Sequence, residues 1–579
     1  MSTAPSDSRL TRRSLLASAA AGGLAVTSGC VREVRNIVRR SPDHNLSLSI
    51  ATVPEDDDPQ ATQLAMALEE SLQTVGIETD LSFLSRVEFY REILINHNFE
   101  LFVGRHPGGG DPDFLYESLH SRFSDEWGWQ NPFGFTNITF DERLDEQRNA
   151  NGEDRERAVN DLLLAIGNEQ PFTPICRPRE LRLADTDAFE GWGRYAFSNR
   201  LTYSGLSADE DGSELRGLVT DARPTQNLNP LSVEYRDRQL FVDLIYDSLA
   251  AVDDGERTPW LAESWEWDGS TATVRLRSTD WHDGQPVTAA DVAFTFELLR
   301  DTSLGESDVP SPAPIYRGRA TAIDGVDVID DDELELTAAG EADAAESAFT
   351  IPVLPEHVWS DRTEEASITG IDTAEGTTTA VVTDNVPPIG SGLYEFADRS
   401  ERSSIELTRF DEHFTSRSPE LDAPSIETLR FDVVASTGAA VEAIADDHAD
   451  FTATPINPLV VDDLDVPENA SLIEQSSEGM YVVGYNTRIS PLGNPYFRQI
   501  LASLIDKAHL AETVFDGYAD PVASPLGEPW IPSALQWRGR DPVTPFVGTD
   551  GELNEAAARQ SFEDIGYRFD EDGNLLVRN

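Results

Sequence analysis

Arg105 and His106 stand immediately before the run Pro107-Gly108-Gly109-Gly110-Asp111-Pro112-Asp113. Three glycines between two prolines can hold neither helix nor strand, so this run is a loop. Its ends carry two groups able to bear positive charge and two carboxylates. In a dry cleft such a set can hold a charged solute through charge-assisted hydrogen bonds. The plainer alternative is that Asp111 and Asp113 cap the helix that follows. Catalysis finds no comparable footing. The chain has no G-x-S-x-G elbow, no P-loop and no zincin helix. Its 9 histidines are scattered without an i, i+4 pair, so no metal site and no cofactor is expected. Cys176 has no Cys-His arrangement around it and reads as a small buried hydrophobe. With 105 acidic residues, any carboxylate pair is uninformative.

The loop must be held by folded elements, and the periodicity supplies them. Residues 46–53 alternate apolar and polar as a strand does, Ala61, Leu64, Ala65, Leu68 and Leu72 follow at helical spacing, and 77–83 alternate again. This strand–helix–strand unit predicts a parallel α/β lobe. A helix over 87–96 and a strand over 99–104 lead into the loop. Further helices are predicted at 154–168, 289–300, 438–446, 494–516 (one or two) and 554–565. Strands are predicted at 271–277, 391–410, 425–434 and 481–486. Asp291 falls in a first helical turn, where a carboxylate is favourable. Residues 201–213 read as a linker, and 301–320 and 361–386 as polar loops.

Acidic residues outnumber Lys plus Arg by 105 to 44, and Lys507 is the only lysine. The aromatic and aliphatic clusters argue for folded cores despite this charge. Such a surface repels itself at low ionic strength, whereas at molar salt the screening length falls to about 3 Å. Adaptation to very high salt is therefore expected. Nucleic-acid binding is not, because a phosphate backbone needs a basic footprint. Residues 1–40 reverse the trend, with seven Arg against Asp7 and Glu33. Arg12-Arg13, then an apolar small-residue stretch, then Thr27-Ser28-Gly29-Cys30 have the order of a twin-arginine export signal followed by a lipobox. Cys30 is the expected lipidation site, and a single lipidated end tethers a protein to the outer membrane face without spanning it.

A longer set of motifs resembles the family 5 extracellular solute-binding proteins, the oligopeptide, dipeptide and nickel binders. They are Leu228-Asn229-Pro230, Ile245-Tyr246-Asp247-Ser248-Leu249, Pro259-Trp260-Leu261-Ala262-Glu263-Ser264-Trp265, Trp281-His282-Asp283-Gly284 and Thr288-Ala289-Ala290-Asp291-Val292-Ala293-Phe294-Thr295. Gly390-Ser391-Gly392-Leu393-Tyr394, Tyr485-Asn486-Thr487, Pro495-Tyr496-Phe497-Arg498-Gln499 and Ile505-Asp506-Lys507 continue the match. The order departs from the family's, because the parts that resemble its C-terminal end stand at 46–113. The resemblance thus implies an α/β, two-lobed, periplasmic-binding-protein-like (type II) fold with an extra α/β domain, circularly permuted. Strand 46–53 is then expected beside 574–578.

The implied organisation is residues 1–44 signal, lipobox and tether; 45–170 second half of the C-terminal lobe; 171–212 return segment and linker; 213–255 first part of the N-terminal lobe; 256–388 extra domain; 389–450 rest of the N-terminal lobe; and 451–579 first half of the C-terminal lobe. The implied function is non-enzymatic. It is capture of a peptide or other small polar solute for the permease subunits of a peptide-type ABC importer, by a monomer tethered to the outer face of the cell membrane through a lipid anchor. A binding module for a sensor, or a secreted hydrolase, is the alternative. Ligand contact is implied for Arg105, His106, Asp111 and Asp113, and for Gly108, which replaces the acid that pairs with a peptide's ammonium in dipeptide-binding relatives. It is also implied for Tyr485 and Asn486 at the end of a cleft-facing strand, and for Ser391 near the hinge. Tyr246 is a further candidate whose plainer reading is packing.

Overall fold

The computed structural model describes residues 44–208, 214–232, 239–253, 255–366, 376–464 and 466–577. Cys30 and the rest of the expected signal and tether lie outside the described residues.

The largest sheet has twelve strands, in two halves joined through one long strand. The strands used below are β1 (Ser47–Thr52), β2 (Glu78–Phe83), β3 (Leu101–His106), β4 (Phe172–Asp185), β5 (Glu214–Val219), β6 (Tyr394–Ser400), β7 (Ser404–Arg409), β8 (Thr428–Val433), β9 (Phe451–Thr452), β10 (Ala470–Ser476), β11 (Met480–Tyr485) and β12 (Ala519–Pro521). One half carries β2, β1, β3 and β11 in that order, with β1 parallel to both β2 and β3. The other carries β6, β7, β8, β5 and β9.

β4 belongs to both halves. Its first residues pair with β11 (Phe172 opposite Gly484) and with β12, while its last seven pair with β10, from Arg179 opposite Ser476 to Asp185 opposite Ala470. β10 runs into β11 within four residues, 476 to 480, so two antiparallel strands cross together from one half to the other. Each half has its own apolar core. Leu48, Ile50, Leu64, Phe102, Phe172, Val483 and Phe562 lie in one; Leu215, Trp260, Val274, Phe349, Leu407 and Phe431 lie in the other. The second core is shared by a four-stranded antiparallel sheet spanning residues 262–338, within the segment 256–388 expected as an extra domain.

Local chemistry explains several element ends. The helix α1 (Pro59–Thr74) starts on Asp58, whose carboxylate accepts from the Ala61 N–H at 2.9 Å. The 289–300 helix starts on a capping box in which Asp291 also binds the Thr288 N–H at 2.9 Å, as its first-turn position predicts. The predicted helix at 87–96 is Arg86–Tyr90 followed by a wider turn at Arg91–Ile95, and 494–516 is two helices, Pro495–Ser503 and Lys507–Phe515. The segment read as a linker is ordered at its start. Arg200–Gly205 is helical because Tyr203 is fully buried and its ring lies 6.3 Å from that of Phe451.

The expected adjacency of the segment that opens at residue 46 and the C-terminal residues 574–578 is present. The Leu46 N–H donates to the Leu575 carbonyl at 2.6 Å, the Val577 N–H to the His44 carbonyl at 3.1 Å, and Asn45 bridges Leu576. Gly76, at φ +85°, lets this contact close, since a Cβ there would lie 2.2 Å from the Gly573 carbonyl oxygen.

Candidate functional site

Three groups of polar residues occupy the ground between the two cores. The first lies where the paired strands cross. Arg105, near the end of β3, reaches Glu180 at 2.6 Å and the Ser477 hydroxyl at 2.7 Å. Arg182 holds the other oxygen of Glu180 at 2.8 Å. Burial opposes a charge on Glu180, but Arg182 and Arg105 outweigh it and bring its pKa down to about 2. Arg179 bridges Glu474 (2.7 Å) and Asp520 (2.9 Å), which belong to opposite halves. Gly108 comes against the same crossing at φ +69°, and a Cβ there would lie 2.0 Å from the Glu478 carbonyl oxygen. This position therefore demands glycine on steric grounds.

The second group is a clamp that joins the end of the loop and the helices over 138–169 to residues 257–347. Asp111 takes Arg155 at 2.9 Å and Arg257 at 2.5 Å. Burial pushes its pKa up, but the two guanidinium groups prevail and hold it below the ordinary carboxylate range. Asp113 is buried and receives both Nε (2.5 Å) and Nη2 (2.7 Å) of Arg148, a bidentate pair, and the Ser347 hydroxyl at 3.3 Å. Arg148 ends the helix Ile138–Arg148 and donates onward to the Gly318 carbonyl (3.1 Å) and Thr321 Oγ1 (2.9 Å). Arg155, on the helix Gly152–Glu169, reaches the Asp343 carbonyl at 3.0 Å. The clamp thus ties the residues just after the loop to residues 257–347.

The third is an open cleft of about 460 Å³ beside the clamp. Tyr116, Arg122, Asp145, Arg148 and Asn149 line one wall; Arg300, Arg317, Thr321, Ile323, Asp324 and Ala339 line the other.

The remaining predicted positions are built into the cores. His106 is buried, accepts the Gly108 N–H at Nδ1 (3.0 Å) and stacks on Phe172 at 5.7 Å. The Tyr485 hydroxyl bonds Thr173 at 2.7 Å, and Asn486 Nδ2 donates to the Phe99 carbonyl at 2.9 Å and to that of His97 at 3.2 Å. The buried Tyr246 hydroxyl accepts from Asn385 at 2.8 Å, and burial pushes its pKa up. Ser391 donates to Asp247 at 2.9 Å. Asp247 is the centre of a network that sequence reading did not find: fully buried, it also meets Trp260 Nε1 (2.7 Å), Arg200 (3.3 Å) and His413 (3.4 Å). Burial raises its pKa, but His413 and Arg200 overcome this and hold it low. The cleft borders neither 105–113 nor 485–486. Of the predicted positions, Asp113 is linked to it, through Arg148.

Residues 256–577 match the profile of the bacterial extracellular solute-binding proteins, family 5. The chain belongs to this family. The two-lobed, type II periplasmic-binding-protein-like α/β fold expected from the motifs follows with it. A Brucella ovis protein named as a peptide-binding protein of an ABC transporter is 25% identical over 291 residues, 49% of each chain. The dipeptide-binding protein DppE of Bacillus subtilis is 22% identical over 324 residues, 54% of each. The chain thus spans about half the length of the curated relatives it matches. Among solved structures, NikZ of Campylobacter jejuni in complex with Ni(L-His) aligns with a TM-score of 0.44 at 18% identity, over 63% of this chain and 66% of that one. AppA of Bacillus subtilis in complex with a nonapeptide aligns with a TM-score of 0.43 at 16% identity, over 63% and 68%. Among the described residues no group of His, Cys, Asp and Glu could hold a metal ion, and no helix is long and apolar enough to cross a membrane.

Proposed function

We propose that this protein is the exported solute-binding component of a peptide-type ABC importer, closing two lobes on a peptide or other small polar solute and presenting the closed form to permease subunits. The observation that carries this reading is the paired crossing of β4 and β10–β11 between two separate cores. Two strands with a short irregular step at 476–480 can flex while each core stays intact, which is how hinge closure couples binding to shape. The clamp at Asp111 and Asp113 is the set of contacts such a closure would make and break. No step of this function needs a catalytic group. Family membership and the peptide-binding names of the relatives support the solute class.

Two further parts belong to the same reading. The lobes are permuted: the segments that resemble the family's C-terminal end lie at 46–113, the linker at 201–213 rejoins the original ends, and the Leu46–Leu575 contact supports this reading by making the newly opened ends neighbours. The protein is tethered by a lipid on Cys30 and works in concentrated salt. The acidic surface supports the adaptation to salt, as does the burial of the one lysine, Lys507, against Asp541 at 2.6 Å, and the Thr27-Ser28-Gly29-Cys30 order supports the tether. Mass spectrometry of material co-purified in molar salt tests the function. A bound small solute released by denaturation is expected; an empty protein that no peptide pool can load contradicts the proposal.

A further inference from the structure

We propose that the cleft between the Ile138–Arg148 helix and the extra domain is an anion site, built to receive a carboxylate or phosphate group of the captured solute. This inference rests on the solute-binding reading and specifies the chemistry of its ligand. The chain carries a formal net charge of −61, so free anions are repelled from most of its surface. Only a local reversal of sign can hold one. Here four arginines, Arg122, Arg148, Arg300 and Arg317, line one cavity, against two carboxylates, Asp145 and Asp324, both exposed.

Three of the four arginines are under-used. Arg148 is saturated by Asp113, Gly318 and Thr321. Arg122, by contrast, is exposed: its Nη1 makes a long contact to the Tyr116 hydroxyl at 3.4 Å, its guanidinium lies 5.5 Å from the Phe123 ring centre, and it meets no carboxylate among the described residues. Arg300 directs Nη2 to the backbone carbonyls of Ile323 (2.6 Å) and Asp324 (2.8 Å), and its Nε and Nη1 meet no acceptor among the described residues. Among the described residues Arg317 meets Glu126 alone, at 3.9 Å, and its buried Nε has no hydrogen-bond partner. Burial lowers the Arg317 pKa; Glu126 opposes that shift, and the neighbouring charges of Arg122 and Arg300 add to it. Like charges gathered at one cavity repel, and an oxyanion that accepts from two of them relieves that repulsion and can give the buried Arg317 Nε an acceptor. Guanidinium groups suit this task because their planar fork takes carboxylate or phosphate two bonds at a time. A volume of about 460 Å³ admits a solute the size of a short peptide.

The test uses the full chain in molar potassium chloride and calorimetric titration with the dipeptide Glu-Glu, citrate, inorganic phosphate and the dipeptide Ala-Ala. The carboxylate probes or phosphate are expected to bind, and which of them does identifies the head group. Arg122→Gln, the least connected position, is expected to weaken that binding roughly tenfold, with an unchanged circular dichroism spectrum. Arg300→Gln should do the same, and Glu126→Gln, which frees Arg317, should tighten it about threefold. Failure of every anionic probe to bind overturns the anion site. So does anion binding that Arg122→Gln leaves intact. If Ala-Ala binds while the anions do not, the anion site falls and the solute-binding reading stands.

Discussion

The clamp and the cleft share Arg148 and are made of the same residue types, yet they differ in whether the arginines find carboxylates. In the clamp, Arg148, Arg155 and Arg257 converge on Asp111 and Asp113 within 3 Å, largely out of water. In the cleft, Arg122 and Arg300 meet no carboxylate among the described residues and Arg317 meets one at 3.9 Å. Abundance of acid does not decide the matter, since acids are everywhere in this chain. Satisfied arginines lock two bodies together, and unsatisfied ones leave a place for something else.

The comparison breaks most visibly at Asp113. Asp113→Asn leaves the buried Arg148 without a counter-charge, and a loss of about 3–5 kcal/mol is expected in denaturant unfolding at molar salt. An effect below 1 kcal/mol would mean the clamp is no tighter than the cleft. Acid probes the cores that flank both sites. Burial lowers the pKa of His97 and of His282 to about 4, from an ordinary 6.5. Both are therefore neutral in the folded protein while the unfolded chain takes up protons. Stability is full above pH 6.5 and falls as pH drops to 4, by up to about 3 kcal/mol for each group. Unfolding midpoints that do not move over that window would contradict the burial of both rings.

Gly108→Ala sets a methyl group against the Glu478 carbonyl in a left-handed backbone conformation. We expect a loss of about 1–3 kcal/mol in thermal or denaturant unfolding, with the sheet spectrum retained. The smallest effect is expected at Asp111, part of whose carboxylate faces solvent. Asp111→Asn should cost about 1–2 kcal/mol and, more tellingly, speed hydrogen exchange in residues 107–113 and 255–259 while leaving the Arg122 region unchanged. Equal changes at both places would erase the distinction between clamp and cleft.

Local relations were legible in the sequence; distant ones were not. Asp291 caps its helix through a partner three residues away, and the 46–83 unit follows from alternation and helical spacing. Asp111 and Asp113 were singled out, but their arginine partners stand 44, 146 and 35 residues off, and no periodicity links them. The helix at 200–205 was read as linker because the burial of Tyr203 depends on Phe451, far along the chain. Tyr246, Ser391, Tyr485 and Asn486 lie at motif positions whose role here is to close buried networks. The cleft arginines carried no signal at all, because nothing local distinguishes an arginine with a carboxylate from one without.

The proposed hinge can be tested directly by pulsed electron spin resonance. Labels at Ile138→Cys and Ile329→Cys, both exposed and on opposite bodies, report their separation in molar salt with and without a casein digest. The account predicts two distance populations whose ratio shifts toward the shorter one when peptide is present. One unchanging distance under both conditions, in protein shown to bind peptide, would contradict it.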